Sequence, residues 1–321
     1  MRKLLETAAV ILFTAAVLPF EVTAQPLAFV SNQLDNSVSV LDASSNRVIE
    51  TIGVPGKPAG VAVNPQKSQV YVSTPGSGGF AVLDARQYWN LRFVPVNSGS
   101  LGIATDRSGE RVFVADWYEN NVSVFDTGNF QLLQVIAVGQ SPSGMIASPD
   151  NRWLYVANRI GDSVSRISLN NLQVRKTVAV GRHPFGLAID ARGERLYTAN
   201  VESDDVTVIQ TLGFRSIATV PVQSRPYAAT LALQDRRLFV TNQDDSNVSV
   251  IDTESLREIA VIEVGDKPEG IATHPDDRHV YVANWLGDSV SVIDAKTLKV
   301  IETISTGEGS RAFGQFMMDL K

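Results

Sequence analysis

The chain has 321 residues, of which 44% are hydrophobic, and it contains no cysteine. The lack of cysteine excludes disulfides, thiolate metal sites, thioether-linked haem and cysteine catalysis. Its 34 acidic residues outnumber its 28 basic ones, which gives a formal net charge of −6. Because a nucleic-acid-binding domain is expected to be basic, this charge argues against that class of function.

The N-terminal segment has the pattern of a cleaved secretory signal. A positively charged start (Arg2, Lys3) precedes an uncharged apolar stretch (residues 7–20) and a small-residue cleavage site that ends at Ala24. The apolar stretch is too short to span a bilayer comfortably. We therefore expect cleavage after Ala24 and export to the periplasm of a Gram-negative-type cell. Residues 25–321 would then form a single domain.

Beyond this segment the sequence repeats itself with a period of 42 residues. An aromatic residue followed by a small or β-branched pair and a turn residue stands at Phe29, Tyr71, Phe113, Tyr155, Tyr197, Phe239 and Tyr281. A valine-rich strand ends at Asp42, Asp84, Asp126, Ser168, Gln210, Asp252 and Asp294. A third equivalent position holds Gly60, Gly102, Gly144, Gly186, Ala228, Gly270 and Ala312. Three patterns with one period and no insertion indicate seven copies of one structural unit.

Each copy contains four short predicted strands. In the copy that begins at Gly270, these strands cover residues 270–273, 280–283, 290–294 and 300–304, with Gly, Pro and Asp turns between them. Four antiparallel strands in a repeat of this length are typical of a propeller blade. A helical solenoid would need amphipathic stretches of ten or more residues, which the repeat lacks. We predict an all-β, seven-bladed β-propeller.

The two ends of the chain predict how the ring closes. The repeats start at a second strand, residues 27–31, and finish at a first strand, residues 312–317. The C-terminal strand is therefore the one that the N-terminal blade lacks. We predict that it pairs into that blade, which removes an edge that could otherwise pair with another chain.

The repeats resemble those of the YVTN β-propeller family. Three copies read Tyr-Val-Ala-Asn or Phe-Val-Thr-Asn, at residues 155–158, 239–242 and 281–284, although the second copy departs with Thr74 and Ser100. Members of that family are bacterial and commonly exported, and some are encoded beside quinone- or cytochrome-dependent oxidation systems. The resemblance implies a non-catalytic binding or accessory protein with a periplasmic dehydrogenase or cytochrome as partner. It implies no shared catalytic residues.

Recurrent polar residues are expected to stabilise the turns. Residues at which the second strand enters a loop are Asn32, Asp116, Asn158, Asn200, Asn242 and Asn284. Such short side chains can bond the backbone two residues further on. The aspartates that close the third strands should cap turns in the same way.

Binding residues are expected where the copies differ. The loop into the innermost strand and the loop between the second and third strands should emerge together around one mouth of the channel. The divergent residues there are Lys57, His183, Phe185, Arg225, Tyr227, Lys267, Glu269 and Arg311 from the first loop, and Trp117, Tyr118, Arg159 and Trp285 from the second. Aromatic and arginine side chains anchor interfaces and hold anionic or planar groups. We predict that they bind a protein partner or a small anionic or planar ligand. Alternatively, they cover the edge of the core.

An enzyme remains the alternative function. The sequence has no Gly-Xaa-Ser-Xaa-Gly elbow, His-Glu-Xaa-Xaa-His pair or phosphate loop. Asn64, Asp106, Asp190 and His274 share one position of the repeat and could hold a divalent ion at the far channel mouth, as in a metal-dependent lactonase-like hydrolase. The propeller subunit of a quinoprotein dehydrogenase is a further alternative. The favoured prediction is a monomer with no cofactor and no membrane span.

Overall fold

The computed structural model describes residues 25–97 and 99–320, and the predicted signal segment lies outside this part of the chain. All regular secondary structure in the described residues is β-strand. The described part also contains no helix long and apolar enough to cross a membrane.

The strands follow one another in regular order. The first fifteen are β1 Gln25–Asn32, β2 Ser37–Asp42, β3 Arg47–Gly53, β4 Val61–Asn64, β5 Gln69–Thr74, β6 Gly79–Asp84, β7 Trp89–Pro95, β8 Ser100–Thr105, β9 Arg111–Asp116, β10 Asn121–Asp126, β11 Leu132–Ala137, β12 Pro142–Ala147, β13 Trp153–Asn158, β14 Ser163–Ser168 and β15 Gln173–Ala179. The remainder are β16 Pro184–Ile189, β17 Arg195–Asn200, β18 Asp205–Gln210, β19 Arg215–Pro221, β20 Pro226–Ala232, β21 Arg237–Asn242, β22 Asn247–Asp252, β23 Arg257–Glu263, β24 Pro268–Thr273, β25 His279–Asn284, β26 Ser289–Asp294, β27 Lys299–Ser305, β28 Gly314–Gln315 and β29 Met317–Leu320.

These strands form seven sheets, one per blade, which confirms the predicted seven-bladed propeller. The first blade has the order β29-β1-β2-β3, and the second joins β28 to β4-β5-β6-β7. The other five blades each take four consecutive strands, from β8–β11 to β24–β27. The second and third strands are buried along most of their length, whereas the fourth strand is mostly exposed. The core therefore lies between neighbouring blades, where apolar side chains of facing sheets pack together.

The recurrent glycines stand where neighbouring inner strands come closest. A Cβ atom on Gly102 would lie 1.8 Å from the carbonyl oxygen of Ser143, and one on Gly144 would lie 2.2 Å from that of Phe185. Hydroxyl groups reinforce the same junctions in other blades, because Ser73 Oγ donates to the Leu101 carbonyl at 2.6 Å. The glycine repeat is thus a requirement of blade-to-blade contact.

The recurrent polar residues behave in two different ways. The aspartates cap turns as predicted: Asp294 Oδ1 accepts the amides of Lys296 and Thr297, each at 2.9 Å. The prediction for the end of the second strand is confirmed at Asp116, whose Oδ1 accepts the amides of Tyr118 at 2.9 Å and Glu119 at 3.0 Å. For the asparagines it was wrong in its mechanism. Asn158 is fully buried in β13, and its Nδ2 donates across the hairpin to Ser163 Oγ (3.1 Å) and Ser165 Oγ (2.9 Å). Equivalent pairs of side-chain bonds are made by Asn32, Asn200, Asn242 and Asn284. These asparagines therefore join strands and do not cap turns.

Ring closure by the C-terminal strand is confirmed, but different residues make it. Strand β29 pairs antiparallel with β1 and places Met317 opposite Ala28. The segment 312–317, predicted as one strand, is divided, because Gly314 has a φ of +103° and its strand β28 pairs parallel with β4 of the second blade. Only glycine adopts this backbone conformation readily. Because the segment passes the second blade before it reaches the first, Phe313 packs against Phe185 and Tyr227 near the channel axis.

Replacing Gly102 by alanine tests the contact between blades. We expect Gly102→Ala to lower the free energy of unfolding by about 2–3 kcal/mol, because the added methyl group overpacks the junction with Ser143. Gly53→Ala is the matched control, since nothing lies within 4 Å of a Cβ atom there. Urea unfolding followed by circular dichroism measures both changes. Equal stability of the two variants would contradict this account of the glycines.

Candidate functional site

The two sets of divergent loops lie side by side on one end of the propeller, which we call the upper face. The amide of Trp285 donates to the Lys267 carbonyl at 2.8 Å, and the amide of Val201 donates to the His183 carbonyl at 3.0 Å. These bonds join each turn between the second and third strands to the connection that enters the same blade. The opposite end, which carries the other turns of each blade, is the lower face.

The connections between blades hold their cationic residues in a fixed backbone conformation. Lys57, His183, Arg225 and Lys267 have positive φ values of 56°, 56°, 55° and 51°. An Asx side chain of the preceding blade fixes several of their amides: His183 N donates to Asp162 Oδ1 and Arg225 N to Asp204 Oδ1, both at 2.8 Å. The aspartates Asp162 and Asp204 therefore fix the direction in which the side chains of His183 and Arg225 project. The sequence analysis did not use this signal.

A buried ion pair lies at the centre of the upper face. Arg311 Nε is 2.5 Å from Glu269 Oε2, and Arg311 Nη2 donates to Glu269 Oε1 at 3.2 Å and to the Tyr227 hydroxyl at 3.0 Å. Gln243 Nε2 also donates to Glu269 Oε1 at 2.6 Å. The side chain of Glu269 is only 1% exposed and that of Arg311 15%. Both charges are thus removed from water and depend on each other.

Aromatic rings surround this ion pair and fill the channel. The ring centroids of Phe185 and Tyr227 are 4.0 Å apart, and Phe313 packs edge-on against Phe185 at 5.2 Å. The Arg311 guanidinium lies 5.3 Å from the Trp285 ring centroid. Phe185 and Tyr227, predicted as binding residues, are buried and act as a plug of the channel.

The environment shifts several pKa values in this cluster. Burial raises the pKa of Tyr227 above its ordinary range, and the Glu269 carboxylate adds to that shift. Burial also raises the pKa of Glu269, while the Arg311 guanidinium and the Gln243 amide oppose this effect. Burial alone would lower the pKa of Arg311, but Glu269 and Tyr227 raise it above its ordinary value. The guanidinium therefore stays charged.

Arg159 and Trp117 extend the cluster on the other side. The Arg159 guanidinium lies 5.4 Å from the Trp117 ring centroid, and Trp117 packs against the aromatic plug. Burial lowers the pKa of Arg159, partly offset by nearby Tyr227. Seven of the predicted residues thus form one connected cluster: Trp117, Arg159, Phe185, Tyr227, Glu269, Trp285 and Arg311.

The other predicted cations of the upper face have acidic partners in the turns. Arg225 Nη1 lies 3.1 Å from Glu202 Oε1, and Lys267 Nζ lies 2.9 Å from Asp244 Oδ1. His183 Nδ1 is 3.9 Å from Glu202 Oε1. The sequence analysis missed Glu202 and Asp244 as partners. They occupy equivalent positions in the turns between the second and third strands, and no other copy of the repeat has an acidic residue there. Lys57 remains exposed at the edge of the face.

The position that Glu202 and Asp244 occupy in the repeat carries a large exposed hydrophobic residue in four other blades. We call this set the apolar rim, and its members with their exposed fractions are Leu34 (53%), Tyr118 (69%), Ile160 (49%) and Leu286 (46%). Only Tyr118 was among the predicted residues. The members of the rim lie on the seventh, first, third and fourth blades, and the second blade has Gly76 at this position. The fifth and sixth blades have Glu202 and Asp244 there. The upper face thus has an apolar side and a charged side.

The metal-ligand candidates at the lower face are engaged within their own turns. Asp106 accepts the amides of Glu110 and Arg111 and pairs with Arg111 Nε at 2.8 Å. Asp190 accepts two turn amides in the same manner. Asn64 Nδ2 donates to the Tyr71 hydroxyl at 3.0 Å. The structure does not bring Asp106, Asp190 and His274 together into a group with ligand atoms within 4.8 Å.

His274 instead lies beside two residues that the sequence analysis did not combine with it. Among the described residues, the one group of three histidine or acidic side chains with ligand atoms within 4.8 Å of one another is His274, Asp276 and His279. The Asp276 carboxylate accepts the amides of Arg278 and His279 and contacts His279 Nδ1 at 2.6 Å. His274 Nδ1 accepts the Asp276 amide at 3.1 Å. These bonds engage the Asp276 carboxylate and both Nδ1 atoms, whereas His274 Nε2 is buried with no hydrogen-bond partner among the described residues.

Comparisons with known proteins agree on the fold. The family described as "Cytochrome D1 heme domain" matches residues 196–312, and the family described as "Lactonase, 7-bladed beta-propeller" matches residues 127–213. No curated protein matches the sequence. Each family match covers less than half of the chain, so both support a propeller without assigning a family.

Several solved structures share this fold. Hydrazine synthase of Kuenenia stuttgartiensis is 20% identical with a TM-score of 0.72, over 79% of this chain and 88% of that one. The dihydro-heme d1 dehydrogenase NirN in complex with DHE is 19% identical with a TM-score of 0.68, over 86% and 63%. A functionally unknown protein from Desulfotomaculum acetoxidans is 12% identical with a TM-score of 0.79, over 92% and 98%. These identities establish a shared fold alone.

The upper end of the channel has no room for a haem group. The rings of Phe185, Tyr227 and Phe313 close it, with centroids 4.0 to 6.5 Å apart. A macrocycle that entered the channel from the upper face would therefore have to displace the aromatic plug.

Replacing Arg311 tests whether the central ion pair is structural. We expect Arg311→Met to lower the free energy of unfolding by about 3–5 kcal/mol, because it leaves Glu269 buried without a counter-charge. Adding Glu269→Gln should restore part of this loss. Arg152→Met, which breaks the exposed pair with Asp150, is the control and should cost less than about 1 kcal/mol. Urea unfolding gives all three values, and an unchanged Arg311→Met midpoint would contradict the assignment.

Proposed function

We propose that this chain is an exported, non-catalytic β-propeller of the YVTN repeat type that binds a folded protein partner through its upper face. The partner would be a periplasmic dehydrogenase or cytochrome, and the propeller an accessory protein of a quinone- or cytochrome-linked oxidation system. The observation that carries this proposal is the apolar rim beside the charged side of the same face.

The rim has the composition of an interface. Four large apolar side chains, each at least 46% exposed, occupy equivalent loop tips. Large exposed apolar residues grouped on one face of a protein commonly mark a docking site, and aromatic anchors such as Tyr118 contribute strongly to binding. Because these loops are fixed by hydrogen bonds to the neighbouring connections, the rim is already ordered before a partner binds.

The charged side adds specificity to this surface. Glu202 and Asp244 alternate with Arg225 and Lys267 on the fifth and sixth blades. Partly exposed ion pairs of this kind contribute little to stability, but they select partners with a complementary pattern of charge. The two sides together favour a protein surface over a small ligand.

The central ion pair favours binding over catalysis. Glu269 is the buried carboxylate of the upper face, and it accepts hydrogen bonds from Arg311 and Gln243. A general base needs a free lone pair within reach of substrate, and these bonds occupy the carboxylate. The ion pair between Glu269 and Arg311 therefore stabilises the structure of the upper face and is unsuited to proton transfer.

The comparisons support the proposed partner class. The chain matches part of a cytochrome d1 haem domain family and shares its fold with hydrazine synthase and NirN. The N-terminal signal pattern and the YVTN resemblance support an exported location. These are arguments by analogy of fold, so the partner itself requires an experiment.

Introducing negative charge into the apolar rim tests the proposal. Native periplasm is passed over the immobilised protein, and bound dehydrogenases or c-type cytochromes are identified by mass spectrometry and purified. Calorimetry then measures their affinity for the triple variant Tyr118→Asp, Ile160→Asp, Leu286→Asp. We expect binding at least about 30-fold weaker, since loss of an interface anchor commonly costs 2 kcal/mol or more.

The matched control for the rim is Leu212→Asp. Leu212 is 91% exposed and lies in the turn after β18, on the lower face. Its substitution should leave binding unchanged, and all variants should keep the melting temperature of the original protein. Equal binding by the rim variant, or an equal loss in the control, would remove the upper face as the docking surface.

A metal-dependent hydrolase is the second candidate, favoured by the match of residues 127–213 to the lactonase family. Its metal would have to lie at His274, Asp276 and His279, whose ligand atoms are close together. We expect no stoichiometric zinc after dialysis, because the turn amides occupy Asp276. Elemental analysis of the original protein and of His279→Ala decides the point. One zinc ion per chain that His279→Ala removes would favour the hydrolase.

A further inference from the structure

One arginine at the lower face breaks the pattern of the repeat. Arg107 follows the first strand of the third blade, and the equivalent positions hold Pro65, Pro149, Ala191, Leu233, Pro275 and Met317. Six apolar residues and one arginine occupy this ring of positions around the lower mouth of the channel. The arginine therefore has no role that the repeat itself requires.

Arg107 borders two adjoining cavities at that mouth. One has a volume of about 240 Å³ and the other about 220 Å³. Both are lined by Arg107, Ile146, Thr273 and Gln315, so they form two halves of one depression around Gln315. This depression lies on the opposite end of the propeller from the proposed docking surface.

The guanidinium of Arg107 lacks a counter-charge. Within the described residues it makes no ion pair and no side-chain hydrogen bond, whereas Arg111 of the same turn pairs with Asp106. The Arg107 side chain is exposed at the mouth. Partial burial by the mouth still lowers its pKa, and no carboxylate opposes that shift. A partly desolvated cation without a partner favours an incoming anion.

The backbone of Arg107 is fixed from both neighbouring blades. Its amide donates to Asn151 Oδ1 at 2.9 Å, and its carbonyl accepts from Gln66 Nε2 at 3.1 Å. These contacts do not involve the guanidinium. The side chain is thus presented by a rigid turn and stays available for a ligand.

One wall of the larger half of the depression is apolar and adaptable. Met145, Met317 and Met318 line the larger half, together with Ile146. Unbranched thioether side chains adjust readily to the shape of a small apolar group. The Thr273 hydroxyl donates to the Leu231 carbonyl, and the Gln315 amide makes no side-chain bond within the described residues. The available polar groups are therefore the Arg107 guanidinium and the Gln315 amide.

Nearby carboxylates limit the charge that a ligand can carry. Asp319 lines the larger half of the depression and Asp235 the smaller half. A ligand with several negative charges would be repelled by them. The depression thus suits one negative charge on a compact apolar body.

We propose that the lower mouth of the channel binds a small monocarboxylate with a short apolar chain or ring, whose carboxylate pairs with Arg107. The apolar body contacts Ile146 and the three methionines. Because Gln315, Met317 and Met318 belong to β28 and β29, a bound ligand also contacts the strands that close the ring. Ligand binding therefore stabilises the closed propeller. This site is independent of the proposed partner surface.

Matched ligands of equal shape test the site. Sodium hexanoate and its neutral counterpart hexanamide are titrated into the purified protein by calorimetry, and thermal unfolding is followed in parallel. We expect saturable binding of hexanoate, at least about tenfold tighter than hexanamide, with a melting temperature that rises with hexanoate concentration. Sodium sulfate, which lacks an apolar body, should bind at least about tenfold more weakly than hexanoate.

Two variants test whether Arg107 causes the preference for hexanoate over hexanamide. Arg107→Gln should abolish the preference for hexanoate over hexanamide without lowering the melting temperature of the free protein. Arg152→Gln, in the corresponding turn of the fourth blade, should leave that preference intact. The proposal is overturned if the original protein does not bind hexanoate, if acid and amide bind equally, if sulfate matches hexanoate, or if Arg107→Gln keeps the preference.

Discussion

The close approach of neighbouring inner strands is the constraint on which this propeller depends. At Gly102 and Gly144 the next blade's carbonyl oxygen occupies the space that any side chain would need. The contact brings the blades near enough for apolar side chains of facing sheets to pack, and it narrows the channel until three aromatic rings can fill it. Only glycine or alanine stands at this position in the seven blades, so differences between the copies are concentrated in the loops and along the channel wall.

That division explains why the two faces differ. On the upper face, paired turns and connections hold a buried ion pair, its aromatic cover and the apolar rim in a fixed arrangement. On the lower face, the C-terminal strands interrupt the symmetry of the ring and leave a depression beside Arg107. On the upper face the buried Glu269 carboxylate is satisfied by internal hydrogen bonds, whereas Trp285 Nε1 and His183 Nδ1 have no hydrogen-bond partner among the described residues. The lower mouth leaves one cation unsatisfied.

The period of 42 residues was sufficient to predict the blades, the closed ring and the shared end of the divergent loops, since each follows from local alternation and counting. Features that depend on contacts between distant residues were not predictable in this way. The pairing of Arg225 with Glu202 joins two blades, and the division of the last strand depends on the φ angle of Gly314. The bonds of Asn158 to two serine hydroxyls leave a sequence signal, since serines recur five and seven residues after several of these asparagines. The exposure of the rim residues could not be predicted from the sequence, because it depends on how the folded loops lie relative to one another.

The path of the C-terminal segment also sets the order in which the molecule can be completed. Strand β1 pairs with β29, which lies far from it in the sequence, and β28 fastens the same segment to the second blade. Until this segment is in place, the first blade presents an unpaired inner edge and the channel lacks Phe313. The molecule is therefore most open to mispairing with another copy before β28 and β29 dock, and the pairing of one short segment ends that exposure.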